Sequence, residues 1–124
     1  MKPKRPVNLD IGTIHLPLAA LTSITHRLTG VVVFAGLSVL LYLFSHSLES
    51  EAGFQQVGAL VNSTAVKLVL WVILSALVYH MVAGCKHLLM DFGIGETRAA
   101  GPVGAWITIV LSAVLSLLVG VWLW

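Results

Sequence analysis

The sequence predicts an all-α integral membrane protein with three transmembrane helices. Hydrophobic residues make up 58% of the 124 residues and charged residues only 10%, against roughly a quarter charged in soluble domains. Three uncharged apolar stretches occupy residues 28–45, 68–85 and 102–124. Each is at least about 18 residues long, close to the length that a helix needs to cross roughly 30 Å of hydrocarbon. None has the polar and apolar alternation of a barrel strand, so helices are the expected spans.

The chain is expected to form a single transmembrane domain over residues 1–124. A basic N-terminal arm is expected over residues 1–20, where Pro17 interrupts regular structure and the apolar core of a cleaved signal peptide is missing. The three spans are expected at about residues 22–46, 64–91 and 102–124. The polar residues of 46–62 predict one connecting loop, and the glycines of 92–102 predict the other.

Basic residues are distributed unevenly about the spans, which predicts the orientation of the chain. The side of the N-terminal arm and the second loop has Lys2, Lys4, Arg5, Arg27, Lys86 and Arg98. The opposite side has only Lys67, which is expected to reach from its helix end to the membrane surface. Because Lys and Arg accumulate on the cytoplasmic side of a membrane, the N-terminus is expected in the cytoplasm and Trp124 at the periplasmic face. Tryptophans 71, 122 and 124 are expected to form an aromatic belt there.

The charge balance and the single cysteine exclude several classes of function. Seven basic and five acidic residues give a net charge of +2, and this weak, dispersed charge gives no support for nucleic-acid binding. Cys85 alone supplies neither a disulfide framework nor a four-cysteine iron–sulfur site, and it is expected to be a small packing residue. The sequence has no glycine-rich dinucleotide fingerprint. Any flavin or iron–sulfur cluster that works with this chain must lie on other subunits.

A histidine deep inside the second span is the principal candidate for a functional site. His80 lies eleven residues before Asp91, roughly 16 Å from that end and near the middle of the bilayer. An ionisable side chain at this depth needs a partner. The helical face that contains it is made by Leu77, His80, Gly84, His87 and Asp91. Gly84 would let a flat group or another backbone come close to this face.

The residues alone leave two interpretations of His80 open. In the first, the imidazole bonds to a serine or a carbonyl group of a neighbouring helix, and Gly84 is a packing notch. In the second, the imidazole binds a haem iron. Only His80 among the five histidines is expected at this depth, so ligation by two histidines would require another chain. His15 and His46 fall at or outside the expected interfaces and are given no role.

A second polar cluster opens the first span in the sequence SITHRLTG. Ser23, Arg27 and Gly30 share one helical face, and His26 flanks it. Arg27 could extend to the phosphate headgroups of the membrane. Alternatively, its planar guanidinium could pair with an anionic ligand, such as a haem propionate or a reduced quinone oxygen.

These motifs, in this order, resemble the cytochrome b membrane-anchor subunits of bacterial succinate dehydrogenase, respiratory complex II. The resemblance covers nearly the whole chain and rests on RPVNLD in the arm, S-x-x-H-R-x-x-G from Ser23 to Gly30, and H-x-x-x-G-x-x-H-x-x-x-D from His80 to Asp91. The paired motifs are specific at this separation, and the sequence does not depart from them. The third span is generic.

The resemblance implies a haem-b-binding anchor in the bacterial inner membrane that contributes to a ubiquinone-reduction site and has no catalytic domain of its own. It implies a heteromeric helix bundle with three partners: a flavoprotein subunit that oxidises succinate, an iron–sulfur subunit that passes electrons to ubiquinone, and a second haem-binding anchor subunit. By motif position, His80 becomes an axial ligand of the haem iron, and Ser23 and Arg27 become quinone-binding residues. His26, Arg27 and, less directly, His87 become neighbours of the haem propionates.

Two other functions remain open beside this one. The chain could anchor another quinone-linked oxidoreductase, such as a fumarate reductase, because the membrane half alone does not fix the direction of the reaction. It could also be a purely structural anchor, or a component of a small transporter, whose polar residues only pack helices.

Overall fold

The computed structural model describes Val7 and residues 9–124, and these residues form four α-helices and no β-strand. Lys2, Lys4 and Arg5 of the expected basic arm lie outside the described residues. After a 3-10 turn at Ile11–Thr13, the helices are α1 (Leu18–Glu49), α2 (Glu51–Asn62), α3 (Thr64–Asp91) and α4 (Ala100–Leu123). The described part of the chain is therefore all-α, as the sequence predicts.

Three of these helices are long and apolar enough to cross a membrane. They contain 32, 28 and 24 residues, or roughly 48, 42 and 36 Å at helical rise, and each exceeds the hydrocarbon thickness of about 30 Å. Helix α1 begins directly after Pro17, four residues earlier than the expected span. Proline is tolerated at the edge of a helix, so it marks the start of α1 rather than a break before it.

The prediction of a polar loop over residues 46–62 is wrong, because most of this segment is helical. Helix α1 continues to Glu49, and α2 follows after Ser50. The Ser50 hydroxyl accepts a hydrogen bond from the backbone N–H of Gly53 at 3.0 Å, which caps α2. Phe54, Val57 and Val61 recur at helical spacing, a pattern that the polar composition of the segment obscured.

The three long helices pack into one bundle in which α3 contacts both α1 and α4, and α1 also contacts α4. The residues buried between them are mostly small: Thr22, Gly36, Ala76, Ala83, Ala105, Thr108 and Ser112. Small side chains let helix backbones approach closely, which is how membrane helices associate when the surrounding lipid is as apolar as they are. Large apolar side chains such as Phe34, Leu117 and Val121 instead face outward.

Aromatic residues tie α3 to α4 at the end where α3 begins. The indole Nε1–H of Trp71 donates to the carbonyl oxygen of Ser116 at 2.9 Å. The ammonium of Lys67 lies 5.9 Å from the centroid of the Trp124 ring, within cation–π range. Trp71 is thus hydrogen-bonded into the bundle in addition to lying near an expected membrane interface.

Candidate functional site

His80 is held by a backbone carbonyl group of the neighbouring helix α1. Its Nδ1 lies 3.0 Å from the carbonyl oxygen of His26. A carbonyl oxygen only accepts, so Nδ1 must have the proton, and in the neutral imidazole Nε2 then keeps its lone pair. The hydroxyl of Thr29 lies 3.4 Å from the same Nδ1. This arrangement fixes the tautomer and the orientation of a half-buried imidazole.

The imidazole of His26 stacks on that of His80, with ring centroids 4.1 Å apart and ring planes 13° apart. The expectation that no second histidine of this chain reaches the depth of His80 is therefore wrong. Because α1 begins as early as Leu18, His26 already lies two turns inside the helix. The flat group that Gly84 admits is this ring, since a β-carbon at Gly84 would lie 3.5 Å from Nε2 of His26.

The third member of the cluster is His87, whose ring lies 5.2 Å from the His26 ring and is tilted by 50°. His80, Gly84 and His87 of α3 therefore all face the His26 side chain, as their shared helical face predicts. Leu77 and Asp91 extend the same face, and Asp91 is exposed at the helix end. The histidines form a column that follows α3 from the middle of the bundle toward this end.

Ser23 differs from the other hydroxyl residues at the start of α1. The hydroxyls of Thr22, Thr25 and Thr29 all donate to carbonyl oxygens one turn earlier, at 2.9–3.0 Å. Within the described part of the chain, the half-buried hydroxyl of Ser23 has no such partner. Its donor is thus available to a ligand or to another chain.

Arg27 lies one turn beyond Ser23 and is exposed. Over residues 9–124, no carboxylate lies within 4.0 Å of its guanidinium. A neutral donor and a full positive charge are therefore presented side by side on α1. That pairing suits an oxygen ligand that becomes negatively charged.

The arrangement around His80 fits one axial ligand of a haem iron and not two. A ligating histidine ordinarily donates its second ring N–H to a carbonyl or carboxylate group, as Nδ1 of His80 does here. His26 and His80 meet face to face, whereas two axial ligands of one iron must point nitrogen atoms at each other from opposite sides. The described residues also contain no group of three or more His, Cys, Asp or Glu side chains that could hold a metal ion by themselves. If His80 held a haem iron, a second histidine ligand would therefore be expected from another chain.

An apolar crevice of about 450 Å³ lies between α3 and α4. Met81, Cys85, Leu89 and Ile107 are among the residues that line it, together with the side chain of Lys86. It does not include the histidine column, Ser23 or Arg27. The candidate site therefore lies where α1 and α3 join, at half-buried histidines beside the exposed Arg27, and not in this crevice.

Comparison with known proteins identifies the family. Residues 1–119 match the family described as "Succinate dehydrogenase/Fumarate reductase transmembrane subunit". The chain belongs to this family of membrane anchors. This anchor subunit is similar to proteins named "Succinate dehydrogenase cytochrome b556 subunit" from several bacteria. It is 38% identical to that of Coxiella burnetii over the full length of both chains.

Two further relatives with the same name support the assignment. The Rickettsia felis protein is 30% identical over 95% of this anchor subunit and 92% of its own length. The Paracoccus denitrificans protein is 34% identical over 73% of this chain and 70% of its own. The predicted resemblance to the cytochrome b membrane-anchor subunits of succinate dehydrogenase is confirmed by this family match and by these relatives.

The structure also reveals contacts that the sequence did not predict. The hydroxyl of Tyr79 donates to the carbonyl oxygen of Thr22 at 3.1 Å, and the ammonium of Lys86 lies 3.4 Å from the Thr22 hydroxyl. His46, which was given no role, bonds through Nδ1 to Glu49 at 2.9 Å and through Nε2 to Gln56 at 3.1 Å. It therefore joins α1 to α2. The pair of His46 with Glu49 has the i,i+3 spacing of one helix, whereas the other pairings depend on how the helices are rotated against each other.

Proposed function

We propose that this anchor subunit supplies His80 as one axial ligand of a haem b and contributes Ser23 and Arg27 to a ubiquinone-reduction site. The observation that supports the haem ligand is the hydrogen bond from Nδ1 of His80 to the carbonyl oxygen of His26. It leaves Nε2 as the basic nitrogen and holds the ring in one orientation. When bound, haem b supplies a one-electron carrier within the membrane.

The side chains of His26, Arg27 and His87 would lie in the vicinity of the haem propionates. His26 and His87 are already in contact through their rings, at 5.2 Å, and Arg27 is exposed without a carboxylate partner among the described residues. A guanidinium can donate two parallel hydrogen bonds to a carboxylate, which makes Arg27 the strongest anchor of the three for a propionate.

Ser23 and Arg27 have complementary tasks in the proposed quinone site. The hydroxyl of Ser23, which lacks a partner within the described residues, donates to a quinone carbonyl oxygen. The fixed positive charge of Arg27 stabilises the same region of the ring as its oxygen gains negative charge. Reduction of a quinone to a quinol takes two electrons and two protons. Ser23 and Arg27 are weak acids, so the protons come from partner subunits or from water.

The proposed function defines the partners that this chain needs. Electrons from succinate pass from a flavoprotein subunit to an iron–sulfur subunit and then to ubiquinone at the membrane surface. A second anchor subunit would provide the other axial haem ligand, because the histidine nearest to His80 in this chain stacks on its ring face. This chain contributes binding residues to the complex.

The absorbance spectrum of the purified complex tests the haem ligand. His80→Ala is expected to weaken or shift the reduced b-type bands, because it removes the proposed axial nitrogen. His15→Ala is the matched control, since His15 is exposed and lies outside the helices. If a His80→Ala complex retains all its subunits and its bands are unchanged, His80 is not a ligand of the haem iron.

The packing of His80 also favours one rival function, that of a purely structural anchor. The hydrogen bond to His26 and the stacked ring satisfy the His80 imidazole without any iron. A structural anchor predicts that Arg27 variants keep normal quinone-reductase kinetics in an assembled complex. The family also includes fumarate reductase anchors, and the quinone that co-purifies with the complex would distinguish that rival.

We further propose that the N-terminus is cytoplasmic and the C-terminus periplasmic, in a bacterial inner membrane. Arg27, Lys86 and Arg98 lie toward one end of the bundle and Lys67 toward the other. Alkaline phosphatase, which is active only in the periplasm, would be active when fused after Trp124. If the fusion after Trp124 were inactive and a fusion in the connection between α3 and α4 were active, the proposed orientation would be wrong and the opposite one would hold.

A further inference from the structure

Two consecutive residues of α3 donate hydrogen bonds to carbonyl oxygens of α1 that are one helical turn apart. The hydroxyl of Tyr79 donates to Thr22 at 3.1 Å, and Nδ1 of His80 donates to His26 at 3.0 Å. A carbonyl oxygen has two lone pairs, so each can also accept the hydrogen bond of its own helix. Each of these carbonyl residues directly precedes a residue of the proposed quinone site, Ser23 or Arg27.

Thr22 is the more tightly held of the two carbonyl residues. Only 3% of its surface is exposed, and its hydroxyl donates to the carbonyl oxygen of Ala19 at 3.0 Å. The same hydroxyl accepts from the ammonium of Lys86 at 3.4 Å. The side chain of Lys86 also passes over Gly104, where a β-carbon would lie 3.6 Å from its Cε. Thr22 is therefore bonded to α3 twice, and one of these partners also lies against α4.

We propose that Tyr79 is a positioning residue for the quinone site: it fixes the height and rotation of α1 at Thr22, and thereby the direction of the Ser23 hydroxyl. Within the described residues, the Ser23 side chain makes no hydrogen bond that would hold it in place. Its position is thus set by the backbone at Thr22, to which Tyr79 is bonded. Tyr79 need not touch the quinone. This inference rests on the proposed role of Ser23.

Tyr79→Phe in the assembled complex tests the inference, because it removes one hydroxyl and keeps the ring. The KM for a soluble ubiquinone analogue is expected to rise about 2- to 10-fold, the range for one lost hydrogen bond. The rate of succinate oxidation should be unchanged when a dye accepts the electrons before they reach the quinone site. The haem absorbance bands should also be unchanged. Tyr42→Phe is the control, since Tyr42 is largely exposed in the other half of α1. An unchanged quinone KM in Tyr79→Phe would overturn the inference.

Ser23→Ala separates failure of this inference from failure of the proposed quinone site. If Ser23→Ala leaves the quinone KM unchanged, the quinone role of Ser23 fails. If Ser23→Ala raises the KM and Tyr79 acts through Ser23, the double variant should match Ser23→Ala alone. If the KM of the double variant rose by the product of the two single effects, Tyr79 would act independently of Ser23 and the inference would fail. KM does not depend on the amount of complex, so partial assembly leaves the comparison valid. Complete loss of assembly in Tyr79→Phe would mark a folding role and also count against positioning.

Discussion

His26 and His80 each occupy a gap left by a glycine on the opposite helix. The His26 ring lies against Gly84 of α3, and the His80 ring lies against Gly30 of α1. This reciprocal exchange lets α1 and α3 approach closely while their imidazoles stack at 4.1 Å. The two gaps are not equally tight. A β-carbon at Gly30 would lie 3.0 Å from Cε1 of His80, whereas one at Gly84 would lie 3.5 Å from Nε2 of His26.

Gly30→Ala is therefore expected to disturb the proposed haem ligand more than Gly84→Ala. The added methyl group presses on the His80 ring and strains its hydrogen bond to the His26 carbonyl oxygen, while a methyl at residue 84 makes ordinary van der Waals contact. The absorbance and electron paramagnetic resonance spectra of the complex should shift in Gly30→Ala and stay close to wild type in Gly84→Ala.

Gly58→Ala provides the control for these substitutions, because no atom beyond its chain neighbours and its own helix backbone lies within 4 Å of a β-carbon there. Identical haem spectra in Gly30→Ala and Gly58→Ala, with equal haem content, would contradict either the tight contact or the ligation by His80. A His80→Ala spectrum recorded alongside distinguishes these two explanations.

Periodicity was sufficient to predict the α3 face of the site. Residues at three- and four-residue intervals share a helical face wherever a helix forms, so the alignment of His80, Gly84 and His87 needed no tertiary information. Their contacts with His26 confirm it. The three long helices were predictable for a similar reason, since an apolar run of this length has few alternatives to a membrane span.

The pairing of α1 with α3 was not predictable from either helix alone. The depth of His26 depends on where α1 begins, and that boundary is marked by Pro17. The bond from Tyr79 to Thr22 depends on the rotation of both helices. Helix α2 was missed because its polar residues outweighed the cap at Ser50 and the apolar spacing of Phe54 and Val57.

Arg27→Gln is expected to lower quinone reductase activity more than it lowers the amount of assembled complex. A charge-assisted hydrogen bond contributes about 1.5–3 kcal/mol, so its loss should reduce kcat/KM for quinone roughly 10- to 100-fold. Arg27→Lys should have an intermediate effect, because it keeps the charge and loses the planar pair of donors. The measurements are steady-state kinetics with a quinone analogue and the subunit content of the purified complex.

Arg98→Gln is the matched control for Arg27, since Arg98 is an exposed arginine outside the helices, in the connection between α3 and α4. It should leave quinone kinetics unchanged. If activity and assembly fall together in Arg27→Gln, Arg27 has a folding role and the quinone site must be built from other residues.

Gly36→Ala should destabilise the bundle itself, at a distance from the histidine column. A β-carbon at Gly36 would lie 2.6 Å from Cγ2 and 3.0 Å from Cγ1 of Ile73. Ile73 is only 7% exposed, and a β-branched side chain in a helix has little freedom to rotate away. Overpacking of this kind costs about 1–3 kcal/mol. The midpoint of thermal dissociation of the purified complex should fall relative to Gly58→Ala, which reports the gain from replacing a helical glycine with alanine.

Ile73 provides a second test of the same contact. Ile73→Ala leaves a space that the new methyl group at residue 36 can partly fill, so the double variant should be less destabilised than the sum of the two single variants. This less-than-additive loss is expected because the two side chains compete for one volume between α1 and α3. If the losses of stability were strictly additive, the side chains at residues 36 and 73 would not share that volume. The close contact of α1 with α3 at these two residues would then be contradicted.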